Sequence, residues 1–248
     1  MSMISAAIIV IGNEILSGRT KEANMLWLSS ELKAMGIRLT ECAIVRDDEP
    51  AIIAAVNRLR AQNDYVFTSG GIGPTHDDIT SEAIARAFGT ELIMHPQAEQ
   101  LLRDYYPPEQ QTEARMKMAK VPEGAELIAN PVSIAPGFKM QNVYVMAGVP
   151  KIFQAMFQQI RLTLKTGAIA KSIALAAFVR EGDIAAPLTA LQEKYPEVEM
   201  GSYPFLKNER FGAQLVFTAT NEESLNAAVN EAQQILNEMK TEFTVVAG

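Results

Sequence analysis

Residues that build disulfides and zinc sites are almost absent from this sequence. Its 248 residues include one cysteine, Cys42, and two histidines. A single cysteine excludes an internal disulfide and is typical of a reducing compartment, and no Cys/His cluster is present to hold zinc. The apolar stretch that follows Met1 has no basic segment before it, and no apolar run approaches the roughly 20 residues that span a bilayer. We therefore predict a cytoplasmic protein without a membrane partner.

An excess of positive charge is also missing. The chain carries 22 lysines and arginines against 29 aspartates and glutamates, for a net charge of −7. An acidic surface repels the phosphate backbone of nucleic acids, and the sequence has no local basic patch that would offset this. We therefore expect no nucleic-acid partner, although a small phosphate could bind through main-chain N–H groups or a bridging metal ion.

Strands and helices alternate through the first two thirds of the chain. Apolar runs predict buried strands at residues 6–11, 39–45, 65–67 and 143–146. Helical patterns lie between them, which indicates the α/β class, with a mostly parallel sheet, helices on both faces and a ligand site beyond the carboxyl ends of the strands. Residues 94–119 are predicted to be helical with an interruption at Pro107-Pro108, and residues 121–139 are predicted to be irregular.

The last third has a different order of elements. Strand and helix patterns follow one another as βαββαβ between residues 172 and 246. This order is typical of a small ferredoxin-like α+β unit. We therefore divide the chain into an α/β domain, residues 1–166, and a smaller α+β domain, residues 167–248.

Three loops combine flexible main chain with polar side chains, and the first follows the first strand. Gly12 and Gly18 bracket a short segment that contains Asn13, Glu14 and Ser17. These side chains suit a ligand cradle in which Glu14 lies near a metal ion or a ligand hydroxyl. They also suit a strand-to-helix turn in which Asn13 and Ser17 bond the main chain. Spacing alone leaves both interpretations open.

The second loop, residues 68–80, follows the third strand. Its three glycines are Gly70, Gly71 and Gly73. They allow the main chain to approach a phosphate closely. The carboxylates of Asp77 and Asp78 are explained if Mg²⁺ or a similar cation bridges them to that phosphate. Helix capping by one aspartate or by Thr80 is the alternative, but it leaves the second acid unexplained.

The third loop, residues 130–138, contains two prolines and a glycine that make it extended and rigid. It is either part of the site or a structural crossover. Asp47 and Asp48 follow the second strand, where Asp48 suits a helix cap and Asp47 could reach the site. The sequence has no Ser-His-Asp arrangement, no GxSxG elbow and no Walker loop, so it indicates no protein nucleophile.

The same loops resemble one known family. The chain is similar to the molybdopterin-binding (MoaB/Mog-like) domain, in its CinA-like (competence/damage-inducible protein A) group, at residues 12–18, Asn24, 68–80, 130–131, 135–137 and 148–150. The resemblance covers most of residues 4–165, and the smaller domain is similar to the one that follows in CinA-like proteins. It implies a three-layer α/β domain that is commonly a homo-oligomer, either a dimer or a trimer.

The resemblance also implies roles for individual residues. Asp47, Asp77 and Asp78 would be catalytic, and Asp77 and Asp78 would bind the metal. The ligand-binding residues would be Asn13, Glu14, Ser17, Asn24, Gly70, Gly71, Gly73, Thr75, Thr80, Pro136 and Gly137. The cofactor would be a divalent metal ion, Mg²⁺ or Co²⁺, and molybdopterin is a further ligand of the family.

The chain departs from the family pattern at two places. Val132-Ser133-Ile134 stands where relatives usually have a further glycine, and Ala147 stands where they usually have a proline. Full-length bacterial relatives carry a C-terminal amidase domain that deamidates nicotinamide mononucleotide, and a chain that ends at Gly248 has no room for it. We therefore predict no deamidation.

Three functions follow from these observations. The CinA-like group resembles metal-dependent pyrophosphatases that act on ADP-ribose, and related domains act on FAD. The first function is therefore hydrolysis of a nucleotide diphosphate linkage, which needs no protein nucleophile. The second is binding or adenylation of a pterin phosphate in molybdenum-cofactor metabolism, and the third is a catalytically silent binding module. In all three, the partner is a small nucleotide or pterin phosphate.

Overall fold

The computed structural model describes residues 3–247. Met1 and Ser2, which begin the segment that we interpret as a strand rather than a signal peptide, lie outside the described residues, as does Gly248. The chain separates into two compact units, Met1–Gly167 and Ala168–Gly248. No helix within residues 3–247 is long and apolar enough to cross a membrane.

The first unit contains both the strands and the helices of an α/β domain. Its strands are β1 (Ile4–Ile11), β2 (Ile37–Val45), β3 (Tyr65–Ser69), β4 (Leu92–Met94), β5 (Lys120–Pro122), β6 (Glu126–Ile128), β7 (Gly137–Met140) and β8 (Val143–Met146). Its helices are α1 (Asn13–Leu16), α2 (Asn24–Ala34), α3 (Glu49–Gln62), α4 (Thr80–Phe88), α5 (Pro96–Tyr105), α6 (Glu113–Lys117) and α7 (Pro150–Ile160).

A six-stranded sheet with the order β2-β1-β3-β8-β7-β6 forms the middle of this unit. Its first four strands are parallel, and β7 and β6 are antiparallel to their neighbours. Because side chains alternate along a strand, Ile8 packs with α2 and α7 on one face, and Ile9 packs with α3 and α4 on the other. The expected mostly parallel sheet with helices on both faces is confirmed.

Two stretches differ from the prediction. Residues 121–139, predicted to be irregular, contain β6 and most of β5 and β7. These strands are three or four residues long, which is too short for an alternating pattern to reveal them. Residues 94–119 hold two separate helices with a 3-10 turn between them at Pro108–Gln110. The break at Pro107 is consistent with proline's inability to continue a helix.

The second unit has the βαββαβ order that the sequence predicts. Its elements are β9 (Lys171–Ala177), α8 (Glu181–Lys194), β10 (Glu199–Lys207), β11 (Arg210–Ala219), α9 (Glu222–Glu238) and β12 (Phe243–Ala247). The sheet order is β10-β11-β9-β12, with every pair antiparallel. A two-residue turn joins β10 to β11, and both Asn208 and Glu209 have positive φ, as tight hairpin turns require. The ferredoxin-like order of elements is thus observed.

Candidate functional site

A cleft of about 550 Å³ lies in the first unit, where the parallel strands end. The residues around it follow the carboxyl ends of β1, β2, β3 and β8 and include part of the third loop. They are Ile11, Glu14, Thr20, Asp47, Gly70, Gly71, Ile72, Gly73, Pro74, Thr75, Asp77, Asp78, Met118, Asn130, Ser133, Ala135, Ala147, Gly148, Val149, Pro150 and Ile152. The cleft therefore occupies the place where open α/β sheets bind their ligands.

Main-chain contacts between strand ends form the floor of the cleft. Gly70 has a φ of 112°, and a Cβ atom there would collide with the carbonyl oxygen of Ile11. A Cβ atom on Gly148 would lie 3.2 Å from the Cα atom of Gly70. Glycine is needed at position 70 both for its conformation and for the close approach of β1 to the loop after β3.

Two buried polar residues support the glycine-rich loop from below. Asn24 is 4% exposed, and its side-chain nitrogen donates to the hydroxyl of Ser69 and to the carbonyl oxygen of Gly148, both at 2.7 Å. The Thr80 hydroxyl donates to the carbonyl oxygen of Gly70 at 3.0 Å, and its main-chain N–H donates to that of Gly71 at 2.9 Å. Neither residue lines the cleft, and their hydrogen bonds hold the main chain that does.

The capping alternative for the two aspartates is wrong. Helix α4 has Ile79 at its N-cap, and no side chain caps it. Asp78 instead accepts hydrogen bonds from the main-chain N–H of Thr75, at 2.8 Å, and from the Thr75 hydroxyl. The pKa of Asp77 is lowered first by the neighbouring Thr75 side chain and then by a main-chain N–H. Both carboxylates border the cleft, and Asp77 favours its ionised form.

The two aspartates after β2, Asp47 and Asp48, occupy different places, as the sequence predicts. Asp48 caps α3 by accepting from the main-chain N–H of Ala51 at 3.2 Å. Asp47 lines the cleft and accepts the main-chain N–H of Asn13 at 2.9 Å through one carboxylate oxygen. This bond joins the loop after β2 to the start of α1 and sets the direction of the Asp47 carboxylate.

Negative charge dominates the lining. Glu14, Asp47, Asp77 and Asp78 border the cleft, and among the described lining residues there is no lysine, arginine or histidine. Within residues 3–247, no group of three or more His, Cys, Asp or Glu side chains converges as a metal site would. Mg²⁺ often binds through one or two carboxylates together with phosphate oxygens of a ligand. The donor set therefore fits a cation that is held jointly with a phosphate, through Asp77 and Asp78.

Main-chain donors are available to such a phosphate. In the hydrogen bonds of the described part of the chain, the N–H groups of Gly71, Ile72 and Gly73 have no partner. Helix α7 begins at Pro150 on the cleft, and no side chain caps its N-terminus. Free N–H groups and the positive end of a helix dipole both attract anions.

The structure brings eight of the predicted site residues to the cleft. They are Glu14, Asp47, Gly70, Gly71, Gly73, Thr75, Asp77 and Asp78. Six others do not line it: Asn13, Ser17, Asn24, Thr80, Pro136 and Gly137. The Ser17 hydroxyl donates to the Glu14 carbonyl oxygen at 3.3 Å, as in a local turn. A Cβ atom on Gly137 would collide with the carbonyl oxygen of Val145, so this glycine serves sheet packing.

The third loop contributes Asn130, Ser133 and Ala135 to the cleft. The Asn130 side chain donates to the Ser133 hydroxyl at 2.7 Å and to the Ala135 carbonyl oxygen at 2.8 Å, which braces the loop internally. In the segment that departs from the family pattern, Ile134 has a φ of 66°. A β-branched residue is strained in this left-handed region, so the loop keeps its shape against a local backbone preference.

Sequence reasoning missed the contribution of helix α6. Met118, directly after this helix, lines the cleft, and Lys117 donates to the carbonyl oxygens of Asp78, at 2.6 Å, and Thr75, at 3.3 Å. No motif marks these residues, because they are about 40 positions from the glycine-rich loop and meet it only in the fold.

Comparisons with known proteins agree with this geometry. Residues 7–166 match the family described as a probable molybdopterin binding domain, and residues 168–245 match the middle domain of FAD synthase. The crystal structure of a CinA protein of unknown function from Thermoplasma acidophilum is 34% identical, with a TM-score of 0.62. That match covers 65% of this chain and 99% of the other. The chain belongs to the molybdopterin-binding domain family and, within it, to the CinA-like group.

Two curated relatives extend over both units. A protein of Archaeoglobus fulgidus is 32% identical over 94% of this chain and 98% of its own length. A probable FAD synthase of Caenorhabditis elegans is 29% identical over 94% of this chain, which spans 50% of that relative. The expected CinA-like resemblance is confirmed. The C-terminal part matches the middle domain of FAD synthase, a similarity that the sequence reasoning did not identify.

Proposed function

We propose that the cleft binds the diphosphate of a dinucleotide, FAD or ADP-ribose, and hydrolyses it with the help of a divalent metal ion. The observation that carries this proposal is the combination, among the described lining residues, of unpaired main-chain donors and four carboxylates with no lysine, arginine or histidine. Such a lining repels a bare diphosphate, but it accommodates one that arrives with Mg²⁺ or Co²⁺.

The reaction needs little covalent chemistry from the protein. Water attacks one phosphorus atom of the diphosphate, and the bridging P–O bond breaks. FAD then gives FMN and AMP, and ADP-ribose gives AMP and ribose 5-phosphate. A bound divalent ion polarises a phosphoryl oxygen and makes water a better nucleophile. Asp77 and Asp78 would hold that ion.

The other groups of the cleft act on orientation and charge. The N–H groups of the glycine-rich loop and the positive end of the α7 helix dipole stabilise the negative charge that develops on the phosphoryl oxygens. Asp47 is oriented by the N–H of Asn13, and its second carboxylate oxygen would accept a proton from the attacking water.

The comparisons favour FAD as the first substrate to test. Both units of this chain align within a relative named as a probable FAD synthase, and the second unit matches the middle domain of FAD synthase. Because this chain has the same two domains in the same order as that relative, we expect it to bind the same dinucleotide.

The test is a chromatographic assay of AMP release from FAD and from ADP-ribose, with EDTA, Mg²⁺ or Co²⁺. We expect turnover that depends on metal and falls at least about 100-fold in Asp77→Asn, which keeps the shape but removes the charge. Asp104→Asn is the matched control, because Asp104 is an exposed residue of α5 outside the cleft lining. Absence of turnover with either metal would overturn the proposal for these substrates.

A pterin phosphate is the second candidate ligand, favoured by the family match of residues 7–166. In that case the cleft binds molybdopterin and transfers AMP to it from ATP, with release of pyrophosphate. Pyrophosphate release that requires molybdopterin, without AMP release from FAD or ADP-ribose, would support this function. Binding of either ligand without any turnover would indicate a silent binding module.

A further inference from the structure

The ammonium group of Lys117 lies behind the acidic part of the glycine-rich loop. It donates to the carbonyl oxygens of Asp78, at 2.6 Å, and of Thr75, at 3.3 Å, and it is 3.7 Å from a carboxylate oxygen of Glu82. Its side chain is 27% exposed. An ammonium group has three N–H donors, and two of them are used by the carbonyl oxygens of the turn, while Glu82 adds an ion pair.

Lys117 does not line the cleft, so its effect reaches a ligand through the Thr75–Asp78 turn. Within this turn, the N–H of Asp78 donates to the Thr75 carbonyl oxygen at 3.3 Å, and the Asp78 carboxylate accepts from Thr75. These bonds are local to the turn. Lys117 adds two bonds from a different element, α6, one to each end of the turn.

The position also has an electrostatic consequence. Asp77 and Asp78 are adjacent carboxylates that repel each other and repel a phosphate, and no lining side chain of the described cleft offsets them. Lys117 places a positive charge directly behind them, where it is shared with Glu82. An ammonium that is bonded to the main chain of the turn offsets part of the repulsion between these neighbouring negative charges.

We propose that Lys117 is a positioning residue of the cleft: it fixes the Thr75–Asp78 turn so that Asp77 and Asp78 face the bound diphosphate and its cation. The nature of the ligand rests on the proposed function, but the effect on the turn does not. Lys117 could instead serve only to join α6 to α4. Its loss would then lower the stability of the fold but leave the activity of the folded molecules unchanged.

Three variants separate these roles. Lys117→Met keeps most of the side-chain stem and removes the charge, Lys117→Arg keeps the charge and donors, and Lys120→Met removes an equal charge from the exposed first residue of β5. We expect Lys117→Met to lower kcat for FAD or ADP-ribose by about 10- to 100-fold with a KM change of less than about threefold. Lys117→Arg should recover most of the loss, and Lys120→Met should stay within about twofold of the native enzyme.

Several results would overturn the proposal. One is a Lys117→Met enzyme whose kcat is within twofold of native, and another is an equal loss in Lys120→Met, which would indicate an effect of net charge. A loss of activity that only follows the unfolded fraction, measured by thermal unfolding, would show a structural role. If Lys117→Met does not fold, Lys117→Gln takes its place in the same comparison.

Hydrogen–deuterium exchange keeps this proposal distinct from the proposed function. Without any ligand, Lys117→Met should exchange main-chain amides faster than native protein in residues 70–79 and at the native rate in β1 and β3. If native protein turns over neither dinucleotide, the proposed function fails while this measurement still decides the positioning role. Unchanged exchange in residues 70–79 would overturn that role.

Discussion

The side-chain amide of Asn24 donates a 2.7 Å hydrogen bond to the carbonyl oxygen of Gly148, 124 positions away in the sequence. The same nitrogen donates to Ser69. One side chain at the start of α2 therefore joins the ends of β3 and β8 directly beneath the cleft. This bond explains why a residue that does not touch the cleft can determine its shape.

Asn24→Asp tests this bond with almost no change in volume. A carboxylate cannot donate to Gly148, and its burial leaves an unpaired charge or an unfavourable contact between oxygen atoms. We expect the free energy of unfolding to fall by about 2–4 kcal/mol, measured by urea denaturation. Asn57→Asp, on the exposed side of α3, is the control and should change it by less than about 0.5 kcal/mol. Equal effects in the two variants would contradict this account.

Gly70 and Gly124 form a matched pair for a second prediction. Both have positive φ, but only at Gly70 would an added Cβ atom meet a neighbouring group, the carbonyl oxygen of Ile11. Gly124→Ala should therefore destabilise the fold by about 1 kcal/mol, from backbone strain alone. Gly70→Ala adds a collision between strand ends and should cost about 2–4 kcal/mol.

Thermal and urea unfolding of both glycine variants measure this difference. Similar losses of stability in the two variants would mean that β1 and the glycine-rich loop can move apart at no cost in free energy. The close contact between Gly70 and Ile11 would then not determine the shape of the cleft.

The alternation of elements was predictable because its signals are local. The apolar run of β1 predicts a strand buried on both faces, and the structure buries residues 6–11 almost completely. Asp48 marks the start of α3, as its cap geometry confirms. From this order alone a parallel sheet follows, and with it the meeting of the loops after β1, β2 and β3.

The remaining parts of the site depend on contacts that no local pattern contains. The resemblance assigned Asn24 and Thr80 to the ligand, and the structure places both outside the cleft lining, because a polar residue beneath a cleft and one that lines it look alike in sequence. Lys117 reaches the acidic turn from a five-residue helix, α6, whose position is set by packing of Met116 with Ala98 and Leu102. Such tertiary placement is visible only in the folded chain.

The adjacent residues Asp47 and Asp48 allow stability and activity to be separated. Asp48→Ala removes the N-cap of α3 and should lower the free energy of unfolding by about 1 kcal/mol with little effect on turnover. Asp47→Asn can still accept the N–H of Asn13, so the fold should be retained. Loss of its negative charge should nevertheless lower kcat/KM for FAD or ADP-ribose by about 10- to 100-fold.

Thermal unfolding and steady-state kinetics on the same two variants check this division of roles. Turnover within twofold of native in Asp47→Asn would remove this carboxylate from the proposed chemistry. A similar loss of turnover in Asp48→Ala would show that the whole turn after β2, rather than one carboxylate, matters.

The metal ion should bind strongly only together with a phosphate ligand. Within residues 3–247 no three metal-binding side chains converge, so the protein alone offers Mg²⁺ too few ligands. Calorimetry should therefore give a dissociation constant for Mg²⁺ in the millimolar range without nucleotide. The affinity should rise at least about tenfold in the presence of AMP, a reaction product that occupies the site without turnover, and by linkage Mg²⁺ should tighten AMP binding by the same factor. Micromolar binding of Mg²⁺ to the free protein would contradict this prediction, since it would require a resident site that the described carboxylates do not form.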